Sequence, residues 1–134
     1  MLARPDWRSD EGPAVVEFSL VTVLLTLLTV SVLQLGLALH VRNTVTDAAA
    51  EGARFAALAD NGLDEGVERT KELITTAVGP AYAEDISASY GTYLGHSSAE
   101  IRVITTLPVI GLLGLDKALE VSAHAAVETL DDAE

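Results

Sequence analysis

The feature that most constrains this chain is a long apolar segment near its amino terminus. Residues 18–39 are 22 residues without a formal charge and read FSLVTVLLTLLTVSVLQLGLAL. At about 1.5 Å per residue, a helix of this length reaches roughly 33 Å, close to the ~30 Å hydrocarbon core of a bilayer. The rest of a 134-residue chain is too small to bury a helix that is apolar on nearly every side. We therefore expect a transmembrane helix.

A cleaved secretory signal is the main alternative to an anchor. Gly36 and Ala38 could supply the small residues of a cleavage site, but the apolar run exceeds the usual length of about 7–15 residues. Arg4 and Arg8 precede the segment and Arg42 follows it, so the charge asymmetry that sets orientation is slight. We favour an anchor with a cytoplasmic amino terminus.

Hydroxyl side chains interrupt the apolar segment at spacings of three and four residues, which places them on one helical face. They are Ser19, Thr22, Thr26 and Thr29. Two interpretations stay open. The stripe could pack closely against another helix in lipid, or each hydroxyl could bond the carbonyl four residues before it.

The junction before the segment places Gly12 and Pro13 shortly ahead of Glu17. A carboxylate at the membrane edge opposes insertion. An acid in the first turn nevertheless meets the positive end of the helix dipole, and proline is favoured at the first helical position. From these residues alone, a helix start capped by Gly12 explains the junction as well as a functional motif does.

The segment GPAVVEFSLVTVLL, residues 12–25, resembles the amino terminus of type IV prepilins. Together with HVRNTVTDAAAEGARFAA, residues 40–57, it resembles the TadE-like family of tight-adherence minor pilins or pseudopilins. The resemblance runs from about Gly12 to Ala57 and more loosely to the end of the chain. It implies a pilin-like fold and a structural role.

The resemblance also implies roles for single residues. A membrane aspartic prepilin peptidase would cleave between Gly12 and Pro13, with Glu17 and Phe18 in the recognised motif. The Glu17 carboxylate would then pair with the new terminal amine of a neighbouring subunit, since opposite charges attract strongly in a low dielectric. Pro13 departs from the family pattern, which usually has another small or apolar residue there.

Beyond the membrane, the pattern predicts a small α+β unit. The first helix continues as an amphipathic stalk to about Leu58, and Gly52 in its interior permits close approach of another element. A second amphipathic helix is expected over residues 63–78. Its expected apolar side comprises Leu63, Val67, Ile74, Ala77 and Val78. Alternation at period two predicts strands over residues 86–90, 101–106 and 119–127, forming an antiparallel sheet against the stalk.

The last strand and its flanks carry further expectations. Its apolar face comprises Val121, Ala123, Ala125 and Val127, and its polar face Glu120, Ser122, His124 and Glu128. The preceding apolar loop, residues 107–116, either tucks under the sheet, which we favour, or forms an exposed binding patch. The acidic tail, residues 128–134, is expected to fray.

Composition excludes several classes of function. Eight Lys and Arg residues against twenty Asp and Glu give a formal net charge of −12, which opposes nucleic-acid binding. Cysteine is absent, so no thiol nucleophile or Cys-ligated metal exists. His40, His96 and His124 lack metal-ligand spacing, and residues 91–95 lack the context of a phosphate loop. We expect no catalytic residues, no cofactor and no metal.

The sequence therefore predicts three segments: a cytoplasmic leader (1–12), a transmembrane helix (13–39) and an extracytoplasmic α+β head (40–134). The expected function is that of a minor pilin or pseudopilin that initiates or caps pilus assembly. Its expected partners are prepilin peptidase, other pilin subunits, the inner-membrane assembly platform and membrane lipid. The alternative is an uncleaved, signal-anchored protein whose acidic head binds a cell-surface ligand.

Overall fold

The computed structural model describes residues 11–108 and 118–128. The elements, in chain order, are α1 (Glu11–Ala57), α2 (Leu63–Ala77), a 3₁₀ turn (Pro80–Tyr82), β1 (Asp85–Tyr93), β2 (His96–Thr106) and β3 (Ala118–Ala126). The chain divides into two compact units, Met1–Gly36 and Leu37–Glu134. A long apolar helix, a second helix and a three-stranded antiparallel sheet confirm the predicted α+β class.

In the first unit, the described residues form the first part of α1. Leucine and valine dominate this part of the helix, and nearly all its side chains are exposed. The helix contains an 18-residue window with a mean hydropathy of 2.2, none of it buried, so it is long and apolar enough to cross a membrane. Its exposed side chains match a helix that would be solvated by lipid.

The second unit begins with the carboxyl-terminal part of α1. Here the buried positions recur every three or four residues: Val41, Val45, Ala48, Ala49, Gly52, Ala53, Ala56 and Ala57. Such a stripe is what a helix needs to cover one side of a core. The remaining residues of this core cluster are Ile74 of α2, Ala83 before the sheet, and Ile101, Val103 and Val121 of the sheet.

The sheet has the order β1-β2-β3, and both strand pairs are antiparallel. In β1 and β2, Asp85 lies opposite Ile104 and Tyr93 opposite His96, so residues Leu94 and Gly95 alone form the turn. Both have positive φ, 51° and 85°, as a two-residue turn between twisted strands requires. Leu94 is the single non-glycine residue with positive φ in the described part of the chain.

Several element boundaries differ from the predictions. α1 ends at Ala57, and β1 and β2 extend to the turn at Leu94, where the sequence predicted strands only over 86–90 and 101–106. The strand ends near the turn were not predicted, because exposed polar residues such as His96 and Ser97 interrupt the alternation of apolar and polar residues there.

The buried face of α2 differs from the predicted one at Ala77, whereas the buried face of β3 agrees with the prediction. Ala77 is exposed, not buried, since it is in the last turn of α2, and the buried positions of α2 are Gly66, Thr70 and Ile74. The β3 face was predicted correctly: Val121 is buried, Ala123, Ala125 and Val127 are half-buried, and the alternating residues are exposed. The predicted loop over 109–116 and the tail beyond Glu128 lie outside the described residues.

Candidate assembly site on the amino-terminal helix

Gly12 and Pro13 lie inside the first turn of α1, after Glu11. Gly12 is therefore not the cap of this helix. Proline is tolerated here because the first amide groups of a helix have no intrahelical acceptor to lose. Among the described residues, a Cβ atom on Gly12 would meet no heavy atom within 4 Å, so packing against them does not require glycine at this position.

Glu17 and Phe18 follow one helical turn later, and both are exposed. Phe18 keeps 74% of its surface accessible. Glu17 makes no salt bridge within the described residues. Because an ionised carboxylate is costly at a membrane, Glu17 needs a partner from outside the described part of the chain if this helix enters lipid.

The hydroxyl stripe bonds to its own helix. Ser19 Oγ donates to the Val15 carbonyl oxygen, and Thr22, Thr26 and Thr29 repeat this four-residue pattern, each at 2.8 Å. These bonds satisfy the hydroxyl hydrogens without a second helix. The geometry matches one of the two sequence interpretations, and packing of the stripe against another helix stays a prediction.

Gly52 lies in the second unit, where α1 packs closely against α2. A Cβ atom on Gly52 would overlap Thr70 Oγ1 and would lie 2.8 Å from the carbonyl oxygen of Gly66. A Cβ on Gly66 would lie 2.6 Å from Ala56 Cβ. Thr70 Oγ1 donates to the Gly66 carbonyl oxygen at 2.8 Å. Gly66 was not among the residues predicted to pack closely, although a glycine inside a predicted helix is itself a sign of close packing.

The three histidines are not brought together. His40 is an exposed residue of α1, and His96 begins β2. The His124 ring stacks on Tyr93 with 4.4 Å between centroids, and its Nε2 lies 3.5 Å from Glu100 Oε2. Among residues 11–108 and 118–128, no three His, Asp or Glu side chains form a group suited to a metal ion.

The exposed apolar part of α1, with Gly12, Pro13 and Glu17 in its first two turns, is long and apolar enough to cross a membrane. The sequence profile of the TadE-like protein family matches residues 12–54. The resemblance noted from the sequence is thereby confirmed, and residues 12–54 form a TadE-like segment. The matched segment contains Gly12, Glu17 and Gly52 but covers less than half of the chain.

No curated protein and no solved structure shows a significant match to the chain. The matched family is one of structural, pilin-like proteins associated with tight-adherence pili, and the match is confined to residues 12–54. The long apolar helix and this match together indicate membrane anchoring.

Proposed function

We propose that this chain is a minor pilin-like subunit that initiates or caps assembly of a tight-adherence pilus after cleavage between Gly12 and Pro13. One coincidence carries the proposal. The segment that matches the TadE-like family includes the exposed apolar part of α1, which has Glu17 at its start, and Glu17 has no salt-bridge partner among the described residues. A side chain placed in this way suits an intermolecular contact.

Cleavage would create the partner that Glu17 lacks. Removal of residues 1–12 leaves the secondary amine of Pro13 as the terminus, with Glu17 at the fifth position of the mature chain. An ammonium and a carboxylate on adjacent subunits would neutralise each other in lipid. Any arrangement that left either charge alone would be penalised, so the pair selects one register between subunits.

The remaining roles follow from the same helix. The amino terminus would stay in the cytoplasm, where the peptidase and the inner-membrane assembly platform reach it, and the α+β unit would lie outside. Neighbouring pilins and lipid would cover the exposed leucine and valine side chains of α1. The chain itself would perform no reaction.

Processing can be tested on protein from the native host that carries its prepilin peptidase. Amino-terminal sequencing and intact mass should identify Pro13 as the first residue of the mature chain. Met1 or Leu2 as the only terminus would refute the processed form and would favour the uncleaved, signal-anchored alternative.

Assembly can be tested with Glu17→Ala and a matched variant, Glu11→Ala. We expect Glu17→Ala to insert at least as well as the native chain, because lipid disfavours the acid, but to be lost from complexes with other pilins. Glu11→Ala removes an acid six residues away that cleavage would discard, so it should assemble normally. Normal co-purification of Glu17→Ala with other pilins would contradict the charge-pair role.

A further inference from the structure

A groove runs between α1 and α2 on the surface of the second unit. It consists of two adjoining hollows of about 500 and 580 Å³, and Glu51 contributes to both. The first hollow is lined by the apolar residues Leu73, Ala77, Ala48 and Ala50, and the second by Phe55. We call this feature the α1–α2 groove. Its floor is apolar: Ala48 is buried, Ala50, Phe55 and Leu73 are half-buried, and Ala77 is exposed.

The border of the α1–α2 groove is acidic. It is formed by the carboxylates of Asp47, Glu51, Glu65, Glu68 and Glu72 and by two arginines, Arg54 and Arg69. Both arginines already have carboxylate partners, Glu51 at 3.8 Å and Glu72 at 3.1 Å. The border therefore keeps an excess of negative charge.

Two of these carboxylates have no partner in the described part of the chain. Glu65 accepts a hydrogen bond from the Gly62 amide at 3.0 Å. Asp47 and Glu68, one on each helix, make no salt bridge within residues 11–108 and 118–128. Both side chains are exposed, so a cationic group could approach them without displacing an existing ion pair.

We propose that the α1–α2 groove binds a basic amphipathic helix of a different protein. Its apolar side would cover Leu73 and Phe55, and its Lys or Arg side chains would pair with Asp47 and Glu68. The inference goes beyond the pilus role, because it concerns the second unit alone and holds whether or not Gly12 and Pro13 are separated.

The shape of the groove favours a helical occupant. Its α1 side, from Thr44 to Phe55, is about 17 Å long, which corresponds to roughly three turns of a helix. A third helix laid along two packed helices can place residues at every third or fourth position toward the floor. A single metal ion does not fit, because no three acidic or histidine side chains within the described residues converge on one point.

Charge excludes a second copy of this chain as the occupant. The unit Leu37–Glu134 contains 16 of the 20 acidic residues and 6 of the 8 basic ones. Contact between two copies of this unit would place acidic side chains opposite one another, and like charges across an interface oppose association. Anionic lipid is disfavoured for the same reason. A basic protein segment is the complementary partner.

The proposal can be tested with the full chain in detergent micelles and a fluorescent peptide of about 14 residues, in which Leu and Lys alternate at helical spacing. A peptide with Glu in place of Lys controls for charge, and a scrambled Leu/Lys peptide controls for amphipathic order. Fluorescence anisotropy should show binding of the ordered Lys peptide only, with weaker binding as salt rises from about 50 to 200 mM.

Variants locate the binding. Asp47→Asn with Glu68→Gln should weaken binding about fivefold to tenfold, since each partly exposed ion pair contributes modestly. Glu84→Gln with Glu128→Gln removes two exposed acids outside the groove and should change binding less than about twofold. Ala77→Trp should weaken binding of the peptide, because the larger side chain would fill the first hollow of the α1–α2 groove without changing its charge.

Three results would overturn the proposal. The first is equal binding of the scrambled peptide, which would indicate diffuse charge attraction. The second is an equal effect of the two double variants, and the third is unchanged binding to Ala77→Trp. Circular dichroism of each variant would show that the fold is retained. None of these results bears on cleavage at Gly12, so failure here is distinguishable from failure of the pilus role.

Discussion

The contact between α1 and α2 predicts that Gly52 cannot be replaced even by alanine. The added Cβ would overlap Thr70 Oγ1 and would lie 2.8 Å from the Gly66 carbonyl oxygen. Thr70 is fully buried and cannot rotate freely, because its hydroxyl bonds the same carbonyl. The carbonyl belongs to the backbone of α2, so relief of the overlap requires the two helices to separate.

The net effect is the difference between two terms. Overpacking of a core costs about 1–3 kcal/mol, and a clash with backbone belongs at the upper end of that range. Replacing a glycine inside a helix gives back about 0.5–1 kcal/mol. We therefore expect Gly52→Ala to lower the free energy of unfolding by about 2 kcal/mol. For a domain of about 100 residues, this lowers Tm by about 8–16 °C.

Thermal melts of the full chain in detergent, followed by circular dichroism, would measure this change. Gly36→Ala, in the same helix, and Gly91→Ala, in the same unit, are matched controls. An added Cβ meets nothing within 4 Å at either position, and neither glycine has positive φ. Neither control should lower Tm by more than about 2 °C, and the reduced flexibility of alanine relative to glycine acts only to raise it.

A native-like Tm for Gly52→Ala would refute the close approach of α1 and α2. A second measurement tests the cause. Thr70→Ala removes the hydroxyl that the new Cβ would overlap, so the double variant should be less destabilised than the sum of the two single variants. Strict additivity would show that Thr70 is not the obstacle.

Two further predictions concern the sheet. Leu94→Asn should raise Tm by several degrees. Leu94 has a φ of 51° and is 83% exposed, and asparagine adopts this conformation at lower cost than leucine. A lower Tm would contradict the turn geometry. Ala123→Asp should destabilise the fold by several kcal/mol, since Ala123 packs against the core cluster. Ser122→Asp, at an exposed position, should change stability by less than about 0.5 kcal/mol. Equal Tm values for the two variants would show that the buried face of β3 is assigned wrongly.

The sequence predicted the type of each element better than its limits. Helix periodicity and strand alternation are strongest where one face is buried, as in β3, and this face was predicted correctly from Val121 to Val127. The tip of the β1–β2 hairpin was missed because both of its faces are exposed there, which removes the alternation. Leu94 at positive φ gave no turn signal, since leucine is not a residue that such turns favour.

The candidate site was predictable only where it is local in sequence. Gly12, Pro13 and Glu17 lie within two turns of one helix, so their spacing alone places them together. The α1–α2 contact requires knowledge of which turn of α2 meets Gly52. Periodicity predicted an apolar side for α2 but not that Gly66 and Thr70 would form its centre. A buried glycine and threonine carry little hydropathy signal.

One helix serves two environments, and the change of pattern within α1 explains how. Before Gly36, leucine and valine occupy nearly every side of the described helix, so no face is distinguished and nearly all side chains are exposed. From Val41 onward, small or β-branched residues occupy the buried stripe and charged residues occupy the remaining faces. No helix-breaking residue lies between these two parts of α1. None is needed, because a helix in lipid and a helix packed on a core have the same backbone and differ only in their side chains. The stability of the second unit can therefore change, as in Gly52→Ala, without altering the exposed apolar part of α1 that precedes Gly36.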